Sequence, residues 1–204
     1  MCLKSYIQES ILPLYHRHDR AHGIVHANEV IDFSLRIAAL IPNLNLDIVY
    51  AAAAYHDIGL GLGHRDIHHE LSGEFVLQDQ NLLHFFTIDQ IQTISTATKE
   101  HRASANAPAS SIYSSILADA DKAPSYSIER VLVRAFLYRS NSPLSIEEKF
   151  QDIYDHVFSK YGHGGYAKIR LPETRKIIQP VIDNTATILA DKRATYNLYL
   201  SLVS

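Results

Sequence analysis

Twelve histidines stand in this 204-residue chain beside one cysteine, one methionine and no tryptophan. Histidine is the commonest metal ligand, so the positions of these twelve come first. His56 and Asp57 close the apolar run DIVYAAAAYHD, just before Gly59, Gly61 and Gly63. Adjacent residues on a regular helix point about 100° apart, so the pair alone is a weak signal. An ionised aspartate buried beside an imidazole is nonetheless costly unless something compensates, and a cation is the obvious candidate. His22 and His26 are four residues apart and share one helix face, with His26 near the inward side marked by Val30 and Ile31. Asp119 and Asp121, in ILADADK, close another apolar stretch, His69 precedes the small pair Ser72-Gly73, and His101 ends a helical segment. Each has a plainer reading taken alone: a helix-end histidine with an exposed aspartate, a satisfied core histidine, a polar helix end. Together they supply imidazole and carboxylate without thiolate, a donor set suited to Mn²⁺, Fe²⁺, Zn²⁺ or Ni²⁺. With open positions such a site lowers the pKa of water and polarises a phosphoryl oxygen.

The elements that must position these residues are helical. Val25, Val30, Ile31, Phe33, Leu35, Ile37, Ala38 and Ile41 form an apolar face on a helix from about Ile24 that Pro42 stops. Leu46 to Asp57 is apolar almost all round, as expected of a helix crossing a core. A third helix covers Ile67 to Leu77, and a fourth opens on the capping box Thr87-Ile-Asp-Gln90 and reaches about Glu100. Residues 103–109 read as a loop, followed by helices over Ser110 to Asp121 and Ser127 to Tyr138, with Pro124 between. A second capping box, Ser145-Ile-Glu-Glu148, opens a helix ending at Gly162. Beyond the loop Gly162-His-Gly-Gly-Tyr166, a Pro-started segment near Leu171, interrupted by Pro180, runs to the C-terminus. Only Tyr166 to Leu171 alternates like a short strand. The expected fold is all-α. Residues 1–125 form the metal-binding core and 126–204 a helical cover packed on it, one domain, since no Pro/Gly/Ser-rich linker parts them.

The order His26, His56-Asp57, His69, His101, Asp121 and the segments around it resemble the HD superfamily. HGIVH is similar to the segment of that family's first histidine, YHDIGLGLG to its paired motif and HHELSGEF to its H-x-x-S-small motif. ISTATKEHR and ILADADK resemble its later histidine and closing aspartate segments, and the tail from SIERVLVRAFLYR to KYGHGGYAKIRLPE resembles a poorly characterised bacterial branch. The resemblance implies an HD-type helical bundle with additional C-terminal helices. It makes His26, His56, Asp57 and Asp121 ligands of a first divalent transition metal ion. Asp121 is preferred to Asp119 because the family aspartate precedes a basic residue, here Lys122. His69 and His101 match histidines of a second ion, with Asp57 as a bridge; His68 and His64 compete for the His69 position. One or two ions per chain follow.

The implied activity is metal-dependent hydrolysis of phosphate esters or anhydrides, nucleotides among them, by a metal-activated water. Lys122 and Arg102, each beside a ligand, are candidates to contact a substrate phosphate, and His22 to orient a ligand or carry a proton. The loop 162–166 has the glycines of a flap or of a plain helix end. Tyr113, Tyr126, Tyr138 and Tyr166 could stack a base, although ordinary packing explains each. Two other functions share the ligand pattern, a di-iron oxygenase of the same superfamily and a ligand-sensing module without turnover.

Composition narrows the partners. A formal net charge of −3 disfavours general nucleic-acid binding. A single cysteine rules out an intrachain disulfide and a Cys-rich zinc module. The N-terminus lacks the apolar run of a signal peptide, and the longest apolar stretch, Ile48 to Tyr55, is too short to span a bilayer, so the expected compartment is the cytoplasm and no membrane partner is expected. Neither GxxxxGK[ST] nor GxGxxG occurs. The expected partner is a small phosphorylated substrate; the oligomeric state is not legible.

Overall fold

The computed structural model describes residues 1–19, 21–63, 65–102 and 108–203. Most of the loop expected at 103–109, and the competing His64, lie outside the described residues. The chain divides into two compact units, Met1–Asp121 and Lys122–Ser204. All described elements are helical.

The first unit opens on a helical segment of changing pitch. It comprises α1 (Leu3–Tyr6), a π turn over Ile7–Ile11 and a 3-10 stretch over Leu12–Arg17. Ile7, Ile11, Leu12 and Tyr15 bury its inner side. α2 (Ile24–Ala38) buries the stripe His26, Ala27, Val30, Ile31, Ser34, Ile37 and Ala38, the three-to-four spacing of an amphipathic helix. It stops four residues before Pro42, and Asn43 makes the turn at φ 63°. α3 (Leu46–Tyr55) starts at Asn45, whose side chain accepts from the Asp47 N–H at 3.0 Å. Ala51, Ala52, Ala53 and Ala54 are buried on this helix, and their small side chains let both α2 and α5 pack against it.

Beyond α3 a 3-10 turn (Ile58–Leu62) and a second one (Arg65–Ile67) lead into α4 (His68–Gln78). The Asp79 carboxylate then ties three segments, because Tyr6 and Tyr55 both donate to its Oδ2 at 2.5 Å. A 3-10 turn over Gln80–His84 precedes α5 (Ile88–Lys99). The capping box is formed as expected: the Gln90 N–H donates to Thr87 Oγ1 at 3.3 Å and the Thr87 N–H to Gln90 Oε1 at 2.9 Å. α4 lies along α5, and Ser95 Oγ donates to the Gly73 carbonyl at 2.8 Å across that seam. α6 (Ile112–Lys122) ends where the units divide.

The second unit holds α7 (Ile128–Tyr138), α8 (Ile146–Tyr161), α9 (Pro172–Ala190) and α10 (Lys192–Val203). Its core gathers Ile128, Leu132, Phe150, Ile153, Val157, Leu189 and Tyr199. Burying each such side chain contributes about 1.5–3 kcal/mol relative to exposure. Two expectations fail here. No strand forms over 166–171, because those backbone groups are satisfied otherwise. The Tyr166 and Ala167 amides donate to the Ser159 and Lys160 carbonyls, and Tyr126 and Lys122 side chains donate to the Ala167 and Lys168 carbonyls. Pro180 does not interrupt its helix either; α9 runs through it. The real break is at Asp191, whose Oδ1 accepts from the amides of Arg193 and Ala194 and starts α10. No helix among the described residues is long and apolar enough to cross a membrane.

Candidate metal centre

The centre forms where α3 breaks. His56 still has helical dihedrals (φ −54°, ψ −41°), but Asp57 leaves them (φ −111°, ψ 8°). That change defeats the 100° divergence of adjacent helical residues and lets ring and carboxylate face the same point. The Asp57 carboxylate is buried at its centre. Its Oδ2 lies 3.4 Å from His56 Nε2 and 3.7 Å from His26 Nε2; its Oδ1 lies 3.3 Å from His68 Nε2 and 3.4 Å from His101 Nε2. His26 Nε2 is also 3.3 Å from His56 Nε2 and 3.1 Å from Asp121 Oδ1. Among the described residues, two groups that could hold a metal ion result, His26–His56–Asp57 and Asp57–His68–His101, and they share Asp57.

Five helices position these atoms. His26 is on the first turn of α2, His56 just past α3, His68 at the first position of α4, and Asp121 near the end of α6; His101 follows α5. Gly59 makes the approach of α4 feasible. A Cβ there would stand 2.1 Å from the His68 carbonyl oxygen, and the Gly59 N–H donates to Ser72 Oγ at 2.8 Å. Ser72 thus holds the turn that follows the His-Asp pair, and the Gly73 carbonyl accepts the Ser95 hydroxyl.

The donor set can be tested against a cation through its tautomers. His56, His68 and His101 each donate Nδ1–H to the carbonyl three residues earlier, of Ala53, Arg65 and Thr98, at 2.8, 2.6 and 2.6 Å. In the neutral ring Nε2 then carries a lone pair. Three such lone pairs surround one carboxylate, an arrangement that repels itself unless a proton or metal ion lies among them. The electrostatics agree. Burial alone would raise the Asp57 carboxyl, yet His56, His101 and His68 hold it well below the usual carboxylate range. Burial would likewise raise Asp121, but His26 pulls it far down. Burial opposes a charge on His56, yet the Asp57 and Asp121 carboxylates hold its pKa above the ordinary 6.5. The residues fit a divalent ion.

Three expectations meet a different geometry. His69, expected at the second site, is not among the converging ligand atoms. Its Nε2 lies 3.8 Å from Glu70 Oε1, while His68 occupies the position beside Asp57 and His101. Consecutive residues at a helix start diverge, so only one of the two can face Asp57. Lys122, expected to meet a substrate phosphate, is buried and donates from Nζ to the Lys168 carbonyl at 2.7 Å. Arg102 donates to the Asp66 carbonyl at 2.6 Å, bracing the 3-10 turn that precedes His68. His22, the candidate to orient a ligand or carry a proton, lies beside Asp19, Arg65 and His26. Its Nδ1 donates to both oxygens of Asp19 at 2.8 and 3.0 Å, Arg65 approaches its Nε2 at 3.4 Å, and its ring stands edge-on to His26 at 6.1 Å. The His22 hydrogen bond holds the Asp19 carboxyl down to about 2. Asp119 is wholly buried, and Asp121, two residues on, is the carboxylate that reaches His26.

Sequence reasoning missed Tyr15, which bonds the backbone around the His-Asp pair, and Asp19. A tyrosine inside an unassigned N-terminal segment gives no periodic signal. A family model described as HD domain matches residues 23–123, a span that contains both groups of candidate ligands. No curated protein and no solved structure matches the chain. Residues 23–123 therefore form a domain of the HD superfamily, an all-α fold typical of metal-dependent phosphohydrolases.

Proposed function

We propose that this chain is a metal-dependent hydrolase of phosphate esters or anhydrides. The observation that carries the reading is one buried carboxylate, Asp57, with two imidazole Nε2 atoms near each of its oxygens. In this reading His26, His56, Asp57 and Asp121 hold one divalent ion, and Asp57, His68 and His101 hold a second. A divalent ion bound there supplies Lewis acidity, acidifying water and withdrawing charge from a phosphoryl oxygen. The chain's own contribution is orientation and proton handling. The three backbone-bonded rings hold their Nε2 atoms toward Asp57 and need no reorganisation during reaction. Asp19 fixes His22 with its proton on Nδ1, so that Nε2 can accept or deliver a proton beside His26. Arg65, bonded to Asp19 and His22, and Arg102, bonded to Asp66, bring positive charge to the same segment of chain that carries His68. That charge favours a small anionic substrate, nucleotides among them.

The test is a substrate panel on metal-stripped protein given back Mn²⁺, Fe²⁺, Zn²⁺ or Ni²⁺ under anaerobic conditions. Phosphate release from monoesters, anhydrides or nucleotides is expected, together with its loss in Asp57→Asn despite unchanged helix content. Oxygen consumption with Fe²⁺ and no phosphate release would instead mark an oxygenase. Nucleotide binding without turnover would mark a sensor.

A further inference from the structure

We infer that Tyr15 is a positioning residue for the His56-Asp57 pair, its hydroxyl holding the broken end of α3 in the form that binds metal. The inference rests on reading the cluster as a metal centre. In an unbroken helix the Asp57 N–H would donate to the Ala53 carbonyl. Here the Ala53 carbonyl accepts from His56 Nδ1 at 2.8 Å, so the ring has taken the bond that Asp57 would have made. The Asp57 N–H donates instead to the Tyr15 hydroxyl oxygen at 3.2 Å, and that hydroxyl donates to the Ala54 carbonyl at 3.0 Å. One hydroxyl, as acceptor and donor together, thereby satisfies the backbone on both sides of His56.

Two consequences follow for the site. Asp57 can keep its non-helical dihedrals (φ −111°, ψ 8°) without leaving a buried amide unsatisfied, which would be unfavourable. His56 can keep Nδ1–H on Ala53 and so present a lone pair at Nε2. Tyr15 is well fixed for the task. It is 1% exposed, its ring packs on His18 at 4.7 Å, and its hydroxyl is 3.4 Å from His56 Nδ1.

Tyr15→Phe keeps the ring and removes only the hydroxyl. Calorimetric titration of Mn²⁺ into metal-stripped protein should show a Kd at least about tenfold weaker than in wild type, which is about 1.4 kcal/mol. Tyr6→Phe, which removes a hydroxyl from the same N-terminal segment but bonded to Asp79, should change it less than about twofold. The nitrogen-15 histidine spectrum of Zn²⁺-loaded wild type should show His56 protonated at Nδ1, with a slowly exchanging Asp57 amide. Unchanged Mn²⁺ affinity in folded Tyr15→Phe would overturn the inference while leaving the metal centre standing. Should that variant not fold, an Asp57 amide exchanging at the rate of an open chain in wild type, or His56 metal-bound through Nδ1, overturns it equally. A wild type that takes up neither Mn²⁺ nor Zn²⁺ would overturn the metal reading itself, and this inference with it.

Discussion

Each of His56, His68 and His101 owes the direction of its lone pair to a carbonyl three residues upstream, so local backbone geometry prepares the chemistry of the ring. At this scale the site is a contest between a proton and a metal ion for the same nitrogens. The two neighbouring carboxylates raise the His56 pKa above the ordinary 6.5, against its burial. In metal-free protein the stabilising contribution of that proton is therefore complete below 6.5 and is lost as pH rises through the raised value. His69 is held down by burial and acts in the opposite sense, but it is not among the converging ligands. A divalent ion must displace the His56 proton, so Mn²⁺ affinity should strengthen by up to about tenfold per pH unit between about pH 6 and pH 8. Titration calorimetry in buffers of differing ionisation enthalpy should also register the released proton. An affinity independent of pH across that range would mean that His56 is not a ligand.

The elements matter through where they stop. α3 is buried along almost its whole length and ends so that His56 and Asp57 meet one point; α4 begins with His68 only because Gly59 lets its first turn come close. Gly59→Ala would drive a methyl group into the His68 carbonyl and the Ser72 amide, both main-chain atoms that cannot move aside independently of the helix. The expected cost is roughly 1–3 kcal/mol, as for other overpacked interiors. The larger effect should be on metal stoichiometry. Displacing the start of α4 removes His68 from the Asp57–His68–His101 group while leaving His26, His56 and Asp121 on other elements. Metal analysis of Gly59→Ala after saturation with Mn²⁺ is expected to fall from about two ions to about one. Two ions retained at wild-type affinity would show that α4 is not a ligand-bearing element.

For the whole molecule, the two compact units have separate cores, and every candidate ligand falls within Met1–Asp121. A ligand that binds only the folded state stabilises it by RT ln(1 + [L]/Kd), about 2.7 kcal/mol at a hundredfold excess over Kd. Mn²⁺ should therefore slow amide hydrogen exchange most in α2, the end of α3, the start of α4 and the end of α5. Little change is expected in α8, α9 and α10. Exchange mass spectrometry with and without Mn²⁺ measures this directly, and equal protection in both units would show that metal stabilisation is not local to the first.

Helix existence was legible in the sequence because it rests on local patterns, and most of the candidate site because the order of its residues resembles a known family. The apolar stripe of α2, the capping boxes at Thr87 and Ser145, and the order of His26, His56-Asp57, His101 and Asp121 each depend on residue type and spacing. What depends on a distant partner was not legible. The break at Asp57 is held by Tyr15, 42 residues away, and no local signal links the two. The choice of His68 over His69 turns on a one-residue phase at the start of α4, set by contact with Gly59. Lys122 looked available beside a ligand until the fold gave it the Lys168 carbonyl, 46 residues on. Residue types and their order named the chemistry. Which nitrogen faces which oxygen was decided only when separate helix ends met around a single carboxylate, because the direction of a side chain at a helix end depends on what its backbone is bonded to.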